Sequence, residues 1–163
     1  MNTSTLDLQL NRSHQNIGEA YLKLQLDDQN HAALPIEFAQ EVLIVPASRL
    51  TYMPNAPVCM LGLLNQRSRV FWVADLPQML GLEAIATDVH LYNIAIIQVQ
   101  KAALALAVQA VKGVQRLNRD LIQSPIGTVA PNLTPYLRGC IPQDREVLLV
   151  LDPEAILNAS VLR

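Results

Sequence analysis

The feature that most constrains this chain is that its pattern is written twice. Gly62 and Asp75 are 13 residues apart, and so are Gly139 and Asp152. At an offset of 77, Leu64 aligns with Ile141, Val70 with Val147, Phe71 with Leu148, Val73 with Val150, and Met79 and Leu80 with Ile156 and Leu157. Further upstream an offset of 72 sets Leu34, Ile36 and Val42 on Leu106, Val108 and Val114. Each copy reads as strand, strand, loop, glycine-containing strand, turn, apolar strand and Asp-capped helix. Neither is large enough for a sizeable core of its own. The two halves, about 18–84 and 88–163, are expected to pack together as small barrels, closure being one way to remove exposed sheet edges.

Local patterns support an all-β chain. Leu22, Leu24 and Leu26 alternate with Tyr21, Lys23 and Gln25, the period of a half-buried strand. Asp27 to Asn30 is turn chemistry. Ala32 to Ile36 resumes the strand, and Pro35 implies an edge position or a bulge. Val42 to Val45 is a further short strand. Gly62 inside the apolar run Val58 to Leu64 marks a bulge or a close backbone approach. Asn65 to Arg69 reads as a hairpin turn before the strand Val70 to Ala74. Ala102 to Val114 carries both helix-forming residues and large–small alternation; its match to the first copy makes it a strand. Asp75 and Asp152 are placed to cap short helices, each with a proline in the first turn. Residues 1–17 read as a flexible arm.

Composition narrows the function. Hydrophobic residues make up 51% of the 163 and charged residues 16%, against roughly 25% charged in an average domain. Twelve Lys+Arg against fourteen Asp+Glu leave a net charge of −2, without the basic excess of a nucleic-acid binder. So apolar and weakly charged a chain predicts protein partners. No segment reaches the roughly 18 uninterrupted apolar residues of a membrane span, and the N-terminus lacks a signal-peptide pattern. The expectation is a cytoplasmic protein without direct membrane insertion.

The chemistry-bearing residues form no catalytic set. Asp75 and Asp152 at equivalent repeat positions suggest a shared-proton dyad. They lack the Thr/Ser-Gly that follows a protease aspartate, and helix capping accounts for both. Cys59 and Cys140 lie in apolar runs and read as buried small hydrophobes. His14, His31 and His90 are isolated, and no phosphate-cradling, zinc-binding or nucleophile motif is present. Arg67 and Arg69 flank one turn and offer a charged contact point. The residues therefore favour a protein-binding module with no enzymatic activity, cofactor or metal.

Several stretches carry a family resemblance. They are Tyr21 to Asp27, Ala33 to Leu43, Pro57 to Arg69 with Gly62, Asn65 and Arg67 in a G-x-x-N-x-R pattern, Val73 to Leu76 with Leu80-Gly81, Tyr136 to Gly139, and Leu148 to Asp152. In order and spacing they resemble the CheW family of chemotaxis coupling proteins over about residues 19–158. The resemblance implies two intertwined five-stranded SH3-like β-barrels with short helices, a CheW-like domain over 18–163. It also implies a non-enzymatic adaptor between the cytoplasmic tips of methyl-accepting chemoreceptors and the regulatory domain of a CheA-type histidine kinase, associated with receptor arrays at the membrane. A CheW-fold scaffold for a different motility or pilus partner is the alternative.

Carried over position by position, the resemblance implies partner contacts at Ala39, Glu41, Gly62, Arg67, Ile94, Val111 and Val114. Three departures stand out. Ser68 replaces the family's glycine after Arg67, Gln109 replaces an aspartate, and Ala39 is smaller than the usual valine. The Asn65 to Ser68 turn with Phe71-Trp72 is similar to coupling proteins of type IV pilus systems, in twitching motility or phototaxis.

Overall fold

The computed structural model describes residues 18–162; the arm expected over 1–17 lies outside them. The first repeat carries β1 (Glu19–Gln25), β2 (His31–Pro35), β3 (Ala39–Pro46), β4 (Leu50–Thr51), β5 (Met60–Gln66), β6 (Arg69–Asp75) and the helix α1 (Leu76–Met79). The second carries β7 (Leu91–Val99), β8 (Ala102–Val108), β9 (Ala110–Leu117), β10 (Leu137–Pro142), β11 (Val147–Leu151) and the helix α2 (Pro153–Leu157).

These strands form two sheets that exchange partners between repeats. One sheet has the order β3-β7-β8-β6-β5-β4 and the other β10-β11-β2-β1-β9. Each takes the first two strands of the opposite repeat. The exchange obeys the repeat: β6 pairs parallel to β8 with Val73 opposite Ala105, and β11 pairs parallel to β2 with Val150 opposite Ala33. Both residues of the second pair sit at the expected offsets from the first. The repeats are therefore intertwined, and neither can complete its sheet alone.

The chain itself closes each sheet into a barrel. β3 runs through a short 3-10 turn, Ala47–Arg49, straight into β4, yet the two lie at opposite edges of their sheet. That is possible only if the sheet curls. In the second barrel the same task falls to Gln123, whose bridge to Cys140 replaces β4. The first barrel thus has six strands rather than the expected five, the extra one being the two-residue β4.

Burial explains the alternation along the strands. Leu104, Leu106 and Val108 of β8 join Leu22, Leu24, Leu34, Leu149 and both helices in a central core. Ala105 and Ala107 face the other way, into barrel 1, among Phe71, Val73, Ile94 and Ile96. On β8 the small side chains face the barrel interior, which Phe71, Ile94 and Ile96 fill from other strands, and the large ones face the central core. Barrel 2 encloses Tyr21, Ala33, Ile141, Leu148 and Val150.

The structure corrects three expectations. Ala102 to Val114 is two strands, broken at Gln109, whose amide donates to the Gln25 carbonyl. β2 is an interior strand, not an edge; Pro35 is tolerated because the pairing with β11 covers only His31 to Ala33. Tyr21, expected on the polar face of β1, is buried inside barrel 2.

Candidate partner-binding site

The hairpin between β5 and β6 is closed by Gln66 opposite Arg69, leaving Arg67 and Ser68 as a two-residue turn. Both have positive φ, 52° and 64°. That is the signature of a type I′ turn, whose twist matches the flanking strands but which favours Asn and Gly. Ser68 therefore occupies a left-handed position where the family's glycine carries no Cβ penalty.

The turn projects Arg67 into solvent and brings it to β3. Arg67 Nε donates to Glu41 Oε1 at 3.1 Å, and Gln66 Nε2 donates to the same oxygen at 3.1 Å. The Arg67 bond, followed by that from Gln66, holds the Glu41 carboxyl below the usual range. Two of the sequence-selected residues, Glu41 and Arg67, thus form one charged contact at the end of barrel 1.

Gly62 has a different role. It is buried at a β-bulge with φ 147°, and a Cβ there would stand 2.5 Å from the Thr51 carbonyl oxygen on β4. Gly139, its repeat counterpart, would meet the Gln123 carbonyl oxygen at 2.5 Å. Both glycines admit the closing segment of their barrel, and Gly62 offers a partner no side chain.

The remaining positions are spread over the other elements. Ala39 and Val111, equivalent at the offset of 72, are half-buried and pack against the central core. Val114 is 64% exposed on β9, an edge strand of the second sheet. Ile94 has no exposed surface and faces the interior of barrel 1. A direct contact through Ile94 is sterically closed in this conformation.

Asn93 was not singled out by the sequence. Its Nδ2 donates to the Gln109 carbonyl at 3.0 Å and ties β7 to the bend between β8 and β9. Asn132, also unremarked, donates from Nδ2 to the Leu80 carbonyl at 3.2 Å and so caps α1 from the opposite repeat. Neither carries a sequence signal, because each bond depends on a loop position fixed only by the fold.

Asp75 and Asp152 serve two separate helix starts. Asp75 Oδ1 accepts from the Gln78 amide at 3.0 Å and Oδ2 from Ile85 at 2.8 Å. Asp152 Oδ1 accepts from Glu154 and Ala155 at 3.1 and 3.2 Å. Burial pushes the Asp75 carboxyl above its ordinary range. Burial likewise raises the Cys59 and Cys140 thiols, which disfavours the reactive thiolate. Among the described residues no group of three or more His, Cys, Asp or Glu could hold a metal ion, and no helix is long and apolar enough to cross a membrane.

The sequence pattern of the CheW-like domain matches residues 20–161. This chain belongs to the CheW-like family. Its fold is similar to that of a scaffolding protein, TtCheW from Thermoanaerobacter tengcongensis, with a TM-score of 0.70 at 21% identity over 83% of this chain and 90% of that one. No curated protein matches it. The expected all-β, CheW-like architecture is the one found, and as a CheW-like chain it is a scaffold or adaptor of chemotaxis-type signalling.

Proposed function

We propose that this CheW-like protein is a cytoplasmic, non-enzymatic adaptor that couples methyl-accepting chemoreceptors to the regulatory domain of a CheA-type histidine kinase. The observation that carries this reading is that its candidate contacts fall on two different barrels. Glu41 and Arg67 form a charged contact on barrel 1, whereas Val114 presents an exposed apolar side chain on an edge strand of the second sheet. An adaptor needs two such surfaces, one for each partner. An exposed valine on an edge strand suits an apolar receptor helix, and a fixed Arg–Glu pair suits a polar protein interface. Ala39 and Val111 shape the rims of the central core beside these surfaces. Gly62 and Ile94 act by holding the strands that present them.

The mechanism is positional. The two barrels share one core, so a shift imposed on one surface is transmitted through close-packed side chains to the other. The Asn65 to Ser68 turn with Phe71-Trp72, similar to coupling proteins of type IV pilus systems, supports a partner from that branch, and Ser68 in its left-handed position reshapes the contact hairpin relative to a glycine there.

The test is binding of the purified protein to a CheA-type regulatory domain and to a receptor tip, with Arg67→Ala and Val114→Asp in parallel. The expected result is that both partners bind and that each substitution weakens a different one. Binding of neither partner would overturn the adaptor reading and leave a CheW-fold scaffold for another motility or pilus protein.

A further inference from the structure

Three guanidinium groups gather at the β5–β6 end of barrel 1. Arg49 donates from Nη2 to the Asn65 carbonyl at 2.5 Å and to Gln66 Oε1 at 3.1 Å. Arg69 donates from Nη1 to Gln98 Oε1 at 3.3 Å, and its guanidinium carbon lies 4.8 Å from the centre of the Phe71 ring. Arg67 completes the group through Glu41. Among the described residues Glu41 forms the one ion pair in this cluster, so two positive charges are left over on a chain whose net charge is −2.

The way these arginines are held matters as much as their number. Arg49 and Arg69 are fixed by neutral oxygens and by a ring face, which orient the guanidinium without neutralising it. A planar fork held this way keeps free N–H donors and loses little entropy when a second acceptor arrives. Gln40, Glu41, Gln66, Arg67, Arg69 and Phe71 line a cleft of about 290 Å³ between Arg67 and Arg69. That is room for one or two side chains, not for a bulky ligand.

We propose that this cleft receives a carboxylate side chain from an acidic segment of a partner protein, with Arg69 as its anchor and Arg49, held on Gln66 Oε1 just outside the lining, adding positive potential beside it. The proposal rests on the adaptor reading for the identity of that partner, but its chemistry stands on the cluster itself. Glu41 selects among anions. Its ionised carboxyl inside the cleft tolerates a singly charged carboxylate next to the arginines and repels a doubly charged phosphate more strongly. A flat anionic membrane is disfavoured too, because the cluster is one hairpin end on a net-negative molecule, whereas membrane binding needs a broad basic face.

The experiment uses the full chain and a capped four-glutamate peptide, followed through the arginine Nε–Hε NMR signals at low salt. The Arg67 and Arg69 signals are expected to shift with the glutamate peptide and not with its four-glutamine counterpart. Arg69→Gln and Arg49→Gln are each expected to weaken binding about two- to fivefold while leaving the backbone spectrum of the fold in place. An equal response to the glutamine peptide, no response to either, or a stronger response to inorganic phosphate or phosphatidylserine vesicles would overturn the proposal. A protein that binds the glutamate peptide but no kinase regulatory domain would retain this cleft and lose the adaptor reading, so the two failures are distinct.

Discussion

Gly62 and Thr51 meet so closely that a Cβ on the glycine would stand 2.5 Å from the threonine carbonyl oxygen. This approach joins β4 to β5 and closes barrel 1. Gly139 and Gln123 repeat it in barrel 2. Gly62→Ala and Gly139→Ala should therefore each destabilise the protein by about 1–3 kcal/mol, the range for an overpacked site. The loss should be larger at Gly62, where φ of 147° adds backbone strain. Urea denaturation measures both. Unchanged midpoints would mean that the closing segments are free to move away.

The opposite sign is expected at Ser68. Its φ of 64° lies in the left-handed region, where an L-residue with a Cβ is penalised by roughly 1–2 kcal/mol. Ser68→Gly should raise stability by about 1 kcal/mol, part of the gain being offset by the greater freedom of glycine in the unfolded chain. The midpoint of thermal or urea unfolding should move up. A lower midpoint would show that the Ser68 side chain makes a stabilising contact that its backbone angle conceals.

Asp75 and Asp152 cap equivalent helices from unequal surroundings. Asp75 is 1% exposed and holds both Gln78 and Ile85, so Asp75→Ala should cost about 2–4 kcal/mol, a lost cap plus a buried amide left without an acceptor. Asp152→Ala should cost about 1 kcal/mol, the ordinary value for a cap.

Their pH behaviour follows from the direction of the shifts. Burial raises the Asp75 carboxyl, so the folded state binds its proton more tightly than the unfolded one. Its contribution to stability is fully present below the unfolded Asp value and is lost as pH rises through the folded one. Asp27 runs the other way. Burial pushes it up, but the bonds from the Asn30 side chain and from the Gln29 and Asn30 amides outweigh that and hold it low. Its stabilisation is present above the unfolded value and is lost as pH falls through the folded one. On acidification, then, wild type should gain stability relative to Asp75→Asn and lose it relative to Asp27→Asn. Denaturation of the three proteins between pH 3 and pH 7 (values on the order of the carboxylate range) checks both signs at once.

The architecture was legible because the repeat is legible. Gly62, Asp75 and their counterparts mark barrel closure and helix starts, two events that need particular residue types. The break at Gln109 was not legible, since apolar residues resume at Ala110 and Val111 and a bend needs no glycine or proline when a backbone bond to Gln25 holds it. Pro35 misled for a related reason. A proline reports only a missing donor, and in an interior strand that donor can be missing simply because the neighbour, β11, has ended. For the site, sequence brought out Glu41 and Arg67 but missed Arg49, whose partner carbonyl on Asn65 is 16 residues away. The signal against Ile94 as a contact was present: Ile94 to Ile97 is an unbroken apolar run, the mark of a strand covered on both faces.

That last distinction can be tested directly, because Ile94 and Val114 were selected by the same resemblance and lie in opposite environments. Ile94 is fully enclosed in barrel 1 with Phe71, Val73 and Ile96. Ile94→Ala should cost about 2–5 kcal/mol through lost burial and the cavity left behind, and should lower partner binding only by lowering the folded population. Val114 is 64% exposed. Val114→Asp should cost at most about 1 kcal/mol, the span of strand propensities at a largely exposed position, well below the Ile94→Ala loss. Any loss of receptor binding in that variant then reports the surface itself. Unfolding midpoints measured beside receptor-tip titrations separate the two cases. A destabilised Val114→Asp protein would mean that β9 is packed more tightly than its exposure indicates, and an Ile94→Ala protein that is fully folded but does not bind would make the barrel interior part of the recognition pathway.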